Sequence, residues 1–208
     1  MTTNANPAKV VLRNVRLAFP RLDTPQQVNG EGAPAFSAAF ILESDSAEFE
    51  GNKAAIEAAM KHVAKEKWGE KAAAIYKSIE ASGKLALHDG NTKTEVDGYA
   101  GNLFINARAS ASSPPSLVRR DRSLISREKI DVISAAEKEL YGGCYVNVIL
   151  NMWAQDNKYG KRVNASLSGV QYVREGVPFA GSAPAAANEF DQLDVPTAFD
   201  ENFDDDML

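Results

Sequence analysis

The sequence predicts a mostly β fold that is interrupted by one helical insertion. Four segments are rich in β-branched and aromatic residues, and apolar side chains alternate with polar ones along most of them. These segments are residues 9–19, 36–42, 102–110 and 141–173. Between the second and third segments, apolar residues recur at helical spacing instead. Short strands with a helical element between them are the arrangement of the OB fold, a five-stranded Greek-key β-barrel.

Local composition sets the limits of each predicted strand. The strand KVVLRNVRLAF ends at Pro20, and residues 21–34 contain enough Pro, Asn and Gly to predict a mobile loop. Two long β runs in 141–173 flank DNKYGK, whose Asp, Asn and Gly are typical of a hairpin turn. The segment PAFSAAFILE places four apolar side chains on one face: Phe36, Ala38, Phe40 and Leu42. Smaller predicted elements are a strand within 85–90, a Pro- and Arg-rich loop at 112–123 and a short helix at 134–140.

The helical insertion is predicted at about residues 45–82. Ser44, Asp45 and Ser46 are typical of the N-terminal cap of a helix. Gly69 interrupts the pattern, and a second helix is expected from about residue 70 until Gly83, a residue type that commonly follows a helix C-cap. The apolar face of the first helix consists of Ile56, Ala59, Met60 and Val63.

Charge is distributed unevenly along the chain. The net charge is −5, with 23 basic and 28 acidic residues. No Lys or Arg follows Arg174, whereas eight acidic residues lie between Glu189 and Asp206. Subtracting these eight leaves 20 acidic against 23 basic residues, so the body carries about +3 and the tail −8. This division predicts either a basic binding body whose acidic arm competes for the same surface, or a tail that only increases solubility.

The organisation we expect is one domain at residues 9–181, preceded by a flexible N-terminus at 1–8 and followed by a disordered acidic tail at 182–208. No apolar run reaches the length of about 18 residues that a transmembrane helix needs, and the N-terminus shows no secretory signal pattern. The single cysteine, Cys144, cannot form an internal disulfide and suits a reducing cytoplasm. Because it lies in an apolar run, we expect a buried, unreactive thiol.

Three predicted strands have one plain apolar face and one face that mixes rings, amides and cations. The mixed face carries Phe104, Asn106 and Arg108 in the first strand, Tyr145, Asn147, Trp153 and Gln155 in the second, and Arg162 and Asn164 in the third. An ordinary solvated sheet face has little use for aromatic rings. Rings interleaved with Asn and Arg suit single-stranded nucleic acid, because bases stack on rings while cations follow the phosphates. The alternative is that a loop or a partner subunit covers these rings.

Two loops add further basic residues at the borders of this face. The first, RRDR, contains Arg119, Arg120 and Arg122, and the second, KYGKR, contains Lys158, Tyr159, Lys161 and Arg162. Such loops are predicted either to contact nucleic acid or to be simply solvated. The tyrosine within the second loop favours nucleic-acid contact there.

Enzymatic function is not expected from the sequence. His62 and His88 are 26 positions apart and lack the spacing of metal ligands. The chain has no phosphate-binding G-x-x-x-x-G-K-[ST], no H-E-x-x-H and no G-x-S-x-G motif. The acidic run of the tail is too flexible to hold an octahedral catalytic metal. We therefore predict no catalytic residue, no metal and no cofactor; a hydrolase or nuclease would need an unrecognised constellation.

The chain also resembles a known family. The segments KVVLRNVRLAFPRL, PAFSAAFIL and the block that contains YGGCYVNVILNMWAQDNKYGKRVNASLSGVQYVREGVPFAG resemble a phage family first catalogued as a domain of unknown function. The resemblance implies an OB barrel that binds single-stranded DNA. The tail resembles the acidic tails of bacterial and T7-like phage single-stranded-DNA-binding proteins, but it ends in Met207 and Leu208 rather than in phenylalanine.

These observations together predict a sequence-nonspecific, non-enzymatic protein that binds single-stranded DNA in the cytoplasm of an infected bacterium, during phage replication or recombination. The tail is expected to compete with DNA and to recruit replication or recombination proteins. Its recruiting residues are predicted to be Phe203, Asp204, Asp205, Asp206, Met207 and Leu208. Homo-oligomerisation is compatible with the sequence. The alternative function is a protein-interaction or assembly module whose aromatic face binds a partner protein.

Overall fold

The computed structural model describes residues 6–28, 31–127 and 140–179. In this part of the chain the strands are β1 (Lys9–Val28), β2 (Glu31–Leu42), β3 (Leu87–Asp89), β4 (Leu103–Ser110), β5 (Ser116–Val118), β6 (Tyr145–Asn157) and β7 (Gly160–Arg174). Two helices, α1 (Phe49–Trp68) and α2 (Ala72–Ala81), lie between β2 and β3. None of the helices described is long and apolar enough to cross a membrane.

Five strands close into a ring. β1 pairs with β2 and β6, β2 pairs with β4, and β6 pairs with β7, all in antiparallel orientation. The ring closes where β4 and β7 run parallel, through the pairs Ala107–Ala165 and Arg108–Ser166. β3 adds to β4, and β5 adds to β7. The predicted fold class, a mostly β barrel with a helical insertion, is confirmed, while the predicted tail and residues 134–139 of the short helix lie outside the described residues.

The core lies inside the ring and consists of the apolar strand faces that alternation predicts. The buried side chains of β6 are Val146, Val148, Leu150 and Met152, and Cys144, just before the strand, is buried with them. On β7 they are Val163, Ala165 and Leu167. The predicted burial of Cys144 is confirmed, and burial raises the pKa of its thiol to about 12.

Residues 21–28 and 31–34 belong to strands, contrary to the sequence-based prediction of a loop. β1 continues through Pro20 and Pro25, and β2 contains Pro34, so the hairpin extends beyond the barrel. The β1–β2 pairing shifts register three times between Ala18 and Val28. Such irregularities accommodate proline, which has no N–H to donate to the ladder. The predicted loop at 112–123 likewise contains the short strand β5.

The two predicted helices are confirmed, but the predicted N-terminal cap of the first helix is not. The residue that precedes α1 is Glu48, which makes no side-chain capping hydrogen bond, so Ser44–Ser46 do not cap the helix. At the other end of the insertion, Gly83 adopts φ +63°. Its N–H donates to Glu80 O at 3.0 Å, and Lys84 N donates to Ile79 O at 2.8 Å. This pair of bonds is the Schellman motif that the glycine predicts.

α1 is docked on β1 through a buried asparagine. Asn52 Oδ1 accepts a hydrogen bond from Arg13 N at 3.0 Å, and Asn52 Nδ2 donates to Arg13 O at 2.8 Å. The register of β1 against β6 shifts between Leu12 and Val15, and Asn14 has φ +51°. The backbone of Arg13 therefore lacks strand partners at the shift, and α1 supplies them.

The segment after β7 folds back over the outer surface of β1 and β2. Arg16 Nη2 donates to Val177 O at 2.6 Å, and Phe179 N donates to Gly142 O at 3.1 Å. The Phe179 ring lies 4.5 Å from the guanidinium carbon of Arg16 and packs against a second apolar cluster outside the barrel. Its buried members are Ala18, Ala39, Ile41, Tyr99 and Phe104.

Candidate nucleic-acid interface

A groove of about 470 Å³ opens on the outside of the barrel, where β4 and β7 run side by side. Its walls come from the outward residues of β4, β6 and β7, together with the segment that joins α2 to β3. Val163 N donates to Lys84 O at 3.1 Å and so fixes this segment against β7. The α2–β3 segment, β4 and the β6–β7 hairpin, which are separate in sequence, thereby meet at one surface.

The groove is cationic. Lys84, Arg108 and Arg162 line it, and none of the lining residues described is acidic. All three side chains are exposed, and within residues 6–28, 31–127 and 140–179 none of them has a carboxylate partner. Their charges are therefore available to an anionic ligand.

Trp153 provides an aromatic wall beside these cations. It is 44% exposed and pairs with Asn164 across β6 and β7. Asn164 Nδ2 donates to Gln155 Oε1 at 3.4 Å, so amide groups surround the indole. A half-exposed ring next to unpaired cations is the combination that binds bases and phosphates of a single strand.

His88 lies in the same groove, on β3. Its ring stacks on Phe104 with centroids 5.1 Å apart. Burial lowers the pKa of His88, and the nearby cations of Lys93 and Arg162 lower it further. The imidazole is therefore neutral at neutral pH.

The β6–β7 hairpin places its basic residues on different sides. At its tip, Tyr159 is 75% exposed and lies 5.0 Å from Lys158 Nζ. Lys161 points away from the groove and forms an ion pair with Asp156. Asp156 also accepts a hydrogen bond from Trp68 Nε1 at 3.0 Å. Lys161 is thus part of the contact between α1 and the barrel and does not line the groove; its predicted contact with DNA stays a prediction.

Phe104 faces away from the barrel core, as alternation predicts, but it is not exposed. Its side chain is 2% accessible and lies 4.7 Å from the Tyr99 ring. The segment between β3 and β4 folds over β4 and covers it. The Phe104 ring is therefore not accessible to a base in this structure and instead supports His88, while its predicted contact with DNA stays a prediction.

Tyr145 and Asn147 lie near the opposite end of β6 from Trp153. The Tyr145 hydroxyl donates to Glu43 Oε2 at 2.8 Å, and the guanidinium carbon of Arg174 lies 3.3 Å from its ring centroid. Asn147 Oδ1 accepts from Asn14 N at 3.0 Å, while its Nδ2 donates to Gln171. These side chains hold the strand ends together and do not line the groove.

Arg119 and Arg120 also lie away from the groove. They follow β5, which pairs with the far end of β7 at Gly169–Gln171. Arg119 Nη1 donates to Leu124 O at 2.8 Å and holds its own loop. Arg162 and Gln171 are nine positions apart on β7, roughly 30 Å along a strand.

Of the predicted interface residues, the structure brings Arg108, Trp153 and Arg162 together, with the hairpin tip at Lys158 and Tyr159 next to them in the chain. The sequence-based prediction omitted Lys84 and His88, which also line the groove. Lys84 follows a helix, so strand alternation gave no signal for it. No signal in the sequence indicated His88 either, because its place beside Phe104 depends on the pairing of β3 with β4. The predicted tail residues lie outside the described part.

The closed five-stranded barrel with a cationic, Trp-bordered groove defines an OB-type protein of the nucleic-acid-binding class. The comparison with known families identifies it further. The family of the ssDNA-binding protein of Enterobacter phage Enc34 matches residues 8–207, and the chain belongs to this family. The resemblance to phage single-stranded-DNA-binding proteins and the prediction of a non-enzymatic protein are confirmed by this membership.

Relatives and solved structures agree with the family. Protein p50 of Acyrthosiphon pisum secondary endosymbiont phage 1 is 41% identical over 189 residues, which are 90% of this chain and 95% of p50. The single-stranded DNA-binding protein of bacteriophage Enc34, solved in complex with ssDNA, is 27% identical, with a TM-score of 0.68 over 84% of this chain and 91% of that one. Gp2.5 of bacteriophage T7 is 12% identical, with a TM-score of 0.52 over 89% of this chain and 98% of gp2.5. It shares the fold.

Proposed function

We propose that this protein binds single-stranded DNA without sequence specificity, with the groove between β4 and β7 as the binding surface. The observation that carries the proposal is the conjunction of Lys84, Arg108 and Arg162 with the exposed Trp153, in a groove without acidic lining residues. The membership of the chain in a family of phage ssDNA-binding proteins supports it. The Enc34 relative was solved with ssDNA, which supports it further.

Phosphate contacts and base stacking contribute separately to the DNA affinity of this groove. Neutralising a phosphate releases counterions, so log K falls against log salt by about 0.7 per contact on a single strand. The three cations that line the groove predict a slope of about −2. A base stacked on Trp153 adds roughly 1–3 kcal/mol that is insensitive to salt. Neither contribution reads base identity, which agrees with nonspecific binding.

Tryptophan fluorescence tests the proposal, because the chain has two tryptophans in different surroundings. Trp153 borders the groove, whereas Trp68 bonds Asp156 at the end of α1. In a Trp68→Phe variant, oligo(dT) should quench the remaining fluorescence in proportion to binding. In the matched Trp153→Phe variant, the fluorescence of Trp68 should stay unchanged. Absence of binding by filter retention, with both variants folded, would favour the alternative of a protein-interaction module.

We further propose that the acidic tail competes with DNA and recruits partner proteins during phage replication or recombination in the host cytoplasm. The tail carries eight acidic residues, and Phe203, Met207 and Leu208 are apolar groups that a partner can bind. The chain is held at Phe179, on the outer surface beside the Phe104–His88 stack that borders the groove. Because exposed charges are screened over about 8 Å, the acidic residues of this arm must come into contact with the groove cations in order to compete with DNA.

A further inference from the structure

Phe19 is an exposed aromatic residue with an unusual backbone. It is 61% exposed and has φ +46°, in the left-handed region that bulky residues rarely adopt. It lies where the β1–β2 register shifts, between Ala18 and Arg21, and it precedes Pro20. A bulge of this kind redirects a side chain, and its strain persists where the surrounding structure or the function requires it. Here the bulge directs a large apolar ring into solvent.

A continuous row of rings connects Phe19 with the groove. Phe19 lies 6.3 Å from Tyr99, Tyr99 lies 4.7 Å from Phe104, and Phe104 lies 5.1 Å from His88, all between ring centroids. His88 lines the groove. The two middle rings are buried, so the two ends of the row, His88 and Phe19, are the rings that a ligand can reach.

Two basic residues, Lys93 and Arg21, lie near this row of aromatic rings. Lys93 Nζ lies 5.1 Å from the Phe104 centroid and 5.8 Å from the Tyr99 centroid. Arg21 pairs with Ser37 on β2, which in turn pairs with Arg108 on β4. Directly paired residues point to the same face of a sheet, so Arg21 and Arg108 share the outer face, roughly 10 Å apart at two strand spacings. Within the described residues, Arg21 has neither a hydrogen bond nor an ion pair.

We propose that Phe19 is a second base-stacking subsite, with Arg21 and Lys93 as its phosphate ligands, and that it extends the binding path across the barrel from Trp153. The inference rests on the proposed function. The path crosses from β6 over β7, β4 and β2 to β1, four strand spacings or roughly 19 Å before curvature. A short oligonucleotide therefore occupies one end, and a longer one reaches both rings.

The test compares oligonucleotide lengths in the full chain, using oligo(dT) of about 4 and about 16 nucleotides, the limits of site size for an OB fold. Phe19→Ala should weaken binding of the long oligonucleotide by about 5- to 150-fold, the range expected for one stacked base. Binding of the short one should change by no more than about twofold, because the Trp153 end remains. Leu124→Ala is the matched control, since Leu124 is also an exposed apolar residue but lies beside β5.

Phe19→Asn separates a binding role from a packing role. Asn tolerates the left-handed conformation, so this variant should keep or raise the melting temperature while it weakens binding of the long oligonucleotide. A clear fall in melting temperature with unchanged DNA affinity would show that Phe19 only packs on Tyr99. A change in molecular mass with unchanged affinity would show that Phe19 contacts a second copy of the chain; either result overturns the inference.

The two proposals fail in distinguishable ways. If the wild-type protein binds neither oligonucleotide, the proposed function itself is wrong. If the wild type binds and Trp153→Ala weakens binding, but Phe19→Ala has no effect at either length, the groove stands and the second subsite is refuted.

Discussion

At the scale of single residues, neighbouring side chains of one strand serve different surfaces. Arg162 points outward into the groove, whereas Lys161 forms an ion pair with Asp156 under α1. The strand period of two separates them, although both are cations at a hairpin. Their charges are equal, so only their directions decide which one meets a phosphate.

This difference predicts the salt dependence of two variants. Arg162→Ala should reduce the slope of log K against log salt by up to about 0.7, because one phosphate contact is lost. Lys161→Ala should leave the slope unchanged, since its charge is already paired. Filter-binding titrations with oligo(dT) over a series of salt concentrations measure both. A slope in Arg162→Ala equal to that of the wild type would show that Arg162 does not contact phosphate.

His88 predicts a pH dependence of DNA binding. Its pKa is lowered by burial and by Lys93 and Arg162, and Lys84 and Arg108 also line its groove. A bound phosphate offsets these cations and raises the pKa of His88, so DNA affinity should increase as the pH falls from neutral to mildly acid values. His88→Gln should abolish the increase, and His62→Gln, which alters the other histidine, should preserve it. Affinities measured from neutral to mildly acid pH decide this.

The same pKa shift acts on the stability of the DNA-free protein with the opposite sense. The folded pKa of His88 lies below the unfolded one, so the unfolded chain binds more protons between the two values. The contribution of His88 to the free energy of unfolding is therefore complete above about pH 6.5, and it is lost as the pH falls through the folded pKa. Tighter DNA binding at lower pH is thus not a consequence of a more stable barrel.

At the scale of elements, one buried amide joins α1 to the barrel. Asn52 satisfies both backbone groups of Arg13 at the β1 register shift. Asn52→Ala should lower the free energy of unfolding by about 1–3 kcal/mol, because a buried backbone donor and acceptor lose their partner. Lys53→Ala, one position along the same helix, should have little effect. Chemical denaturation of both variants measures the difference; equal midpoints would show that water replaces the amide.

At the scale of the whole molecule, the separation of charge predicts the effect of truncation. Deleting residues 189–208 removes eight acidic residues and changes the net charge from −5 to +3. The shortened protein should fold normally and bind single strands more tightly than the full chain, most clearly at low salt. Titrations at low and high salt measure this.

A second variant separates charge from the apolar groups of the tail. Converting Asp204, Asp205 and Asp206 to Asn should raise affinity partway while retaining Phe203, and recruitment of partner proteins should then fail only in the truncated form. Weaker or unchanged DNA binding after truncation, at low salt, would show that the tail does not compete.

Local sequence patterns are enough to predict which face of each strand is buried and where the helices lie. Alternation along β6 and β7 separated the core side chains from Trp153 and Arg162, because the side-chain period of a strand is a local property. The glycine at 83 ended α2 for an equally local reason, its positive φ. Features of this kind need no knowledge of what packs against them.

Which of the outward residues are accessible depends on long-range contacts in the folded chain. Phe104 is covered because the segment with Tyr99 folds over β4, and Lys84 and Arg108 share a groove because β4 and β7 close the barrel in parallel. Ala107 and Ala165 are 58 positions apart in the sequence, so no local pattern of apolar residues could predict that they pair. Exposure and convergence depend on such long-range contacts, and only the folded chain contains them.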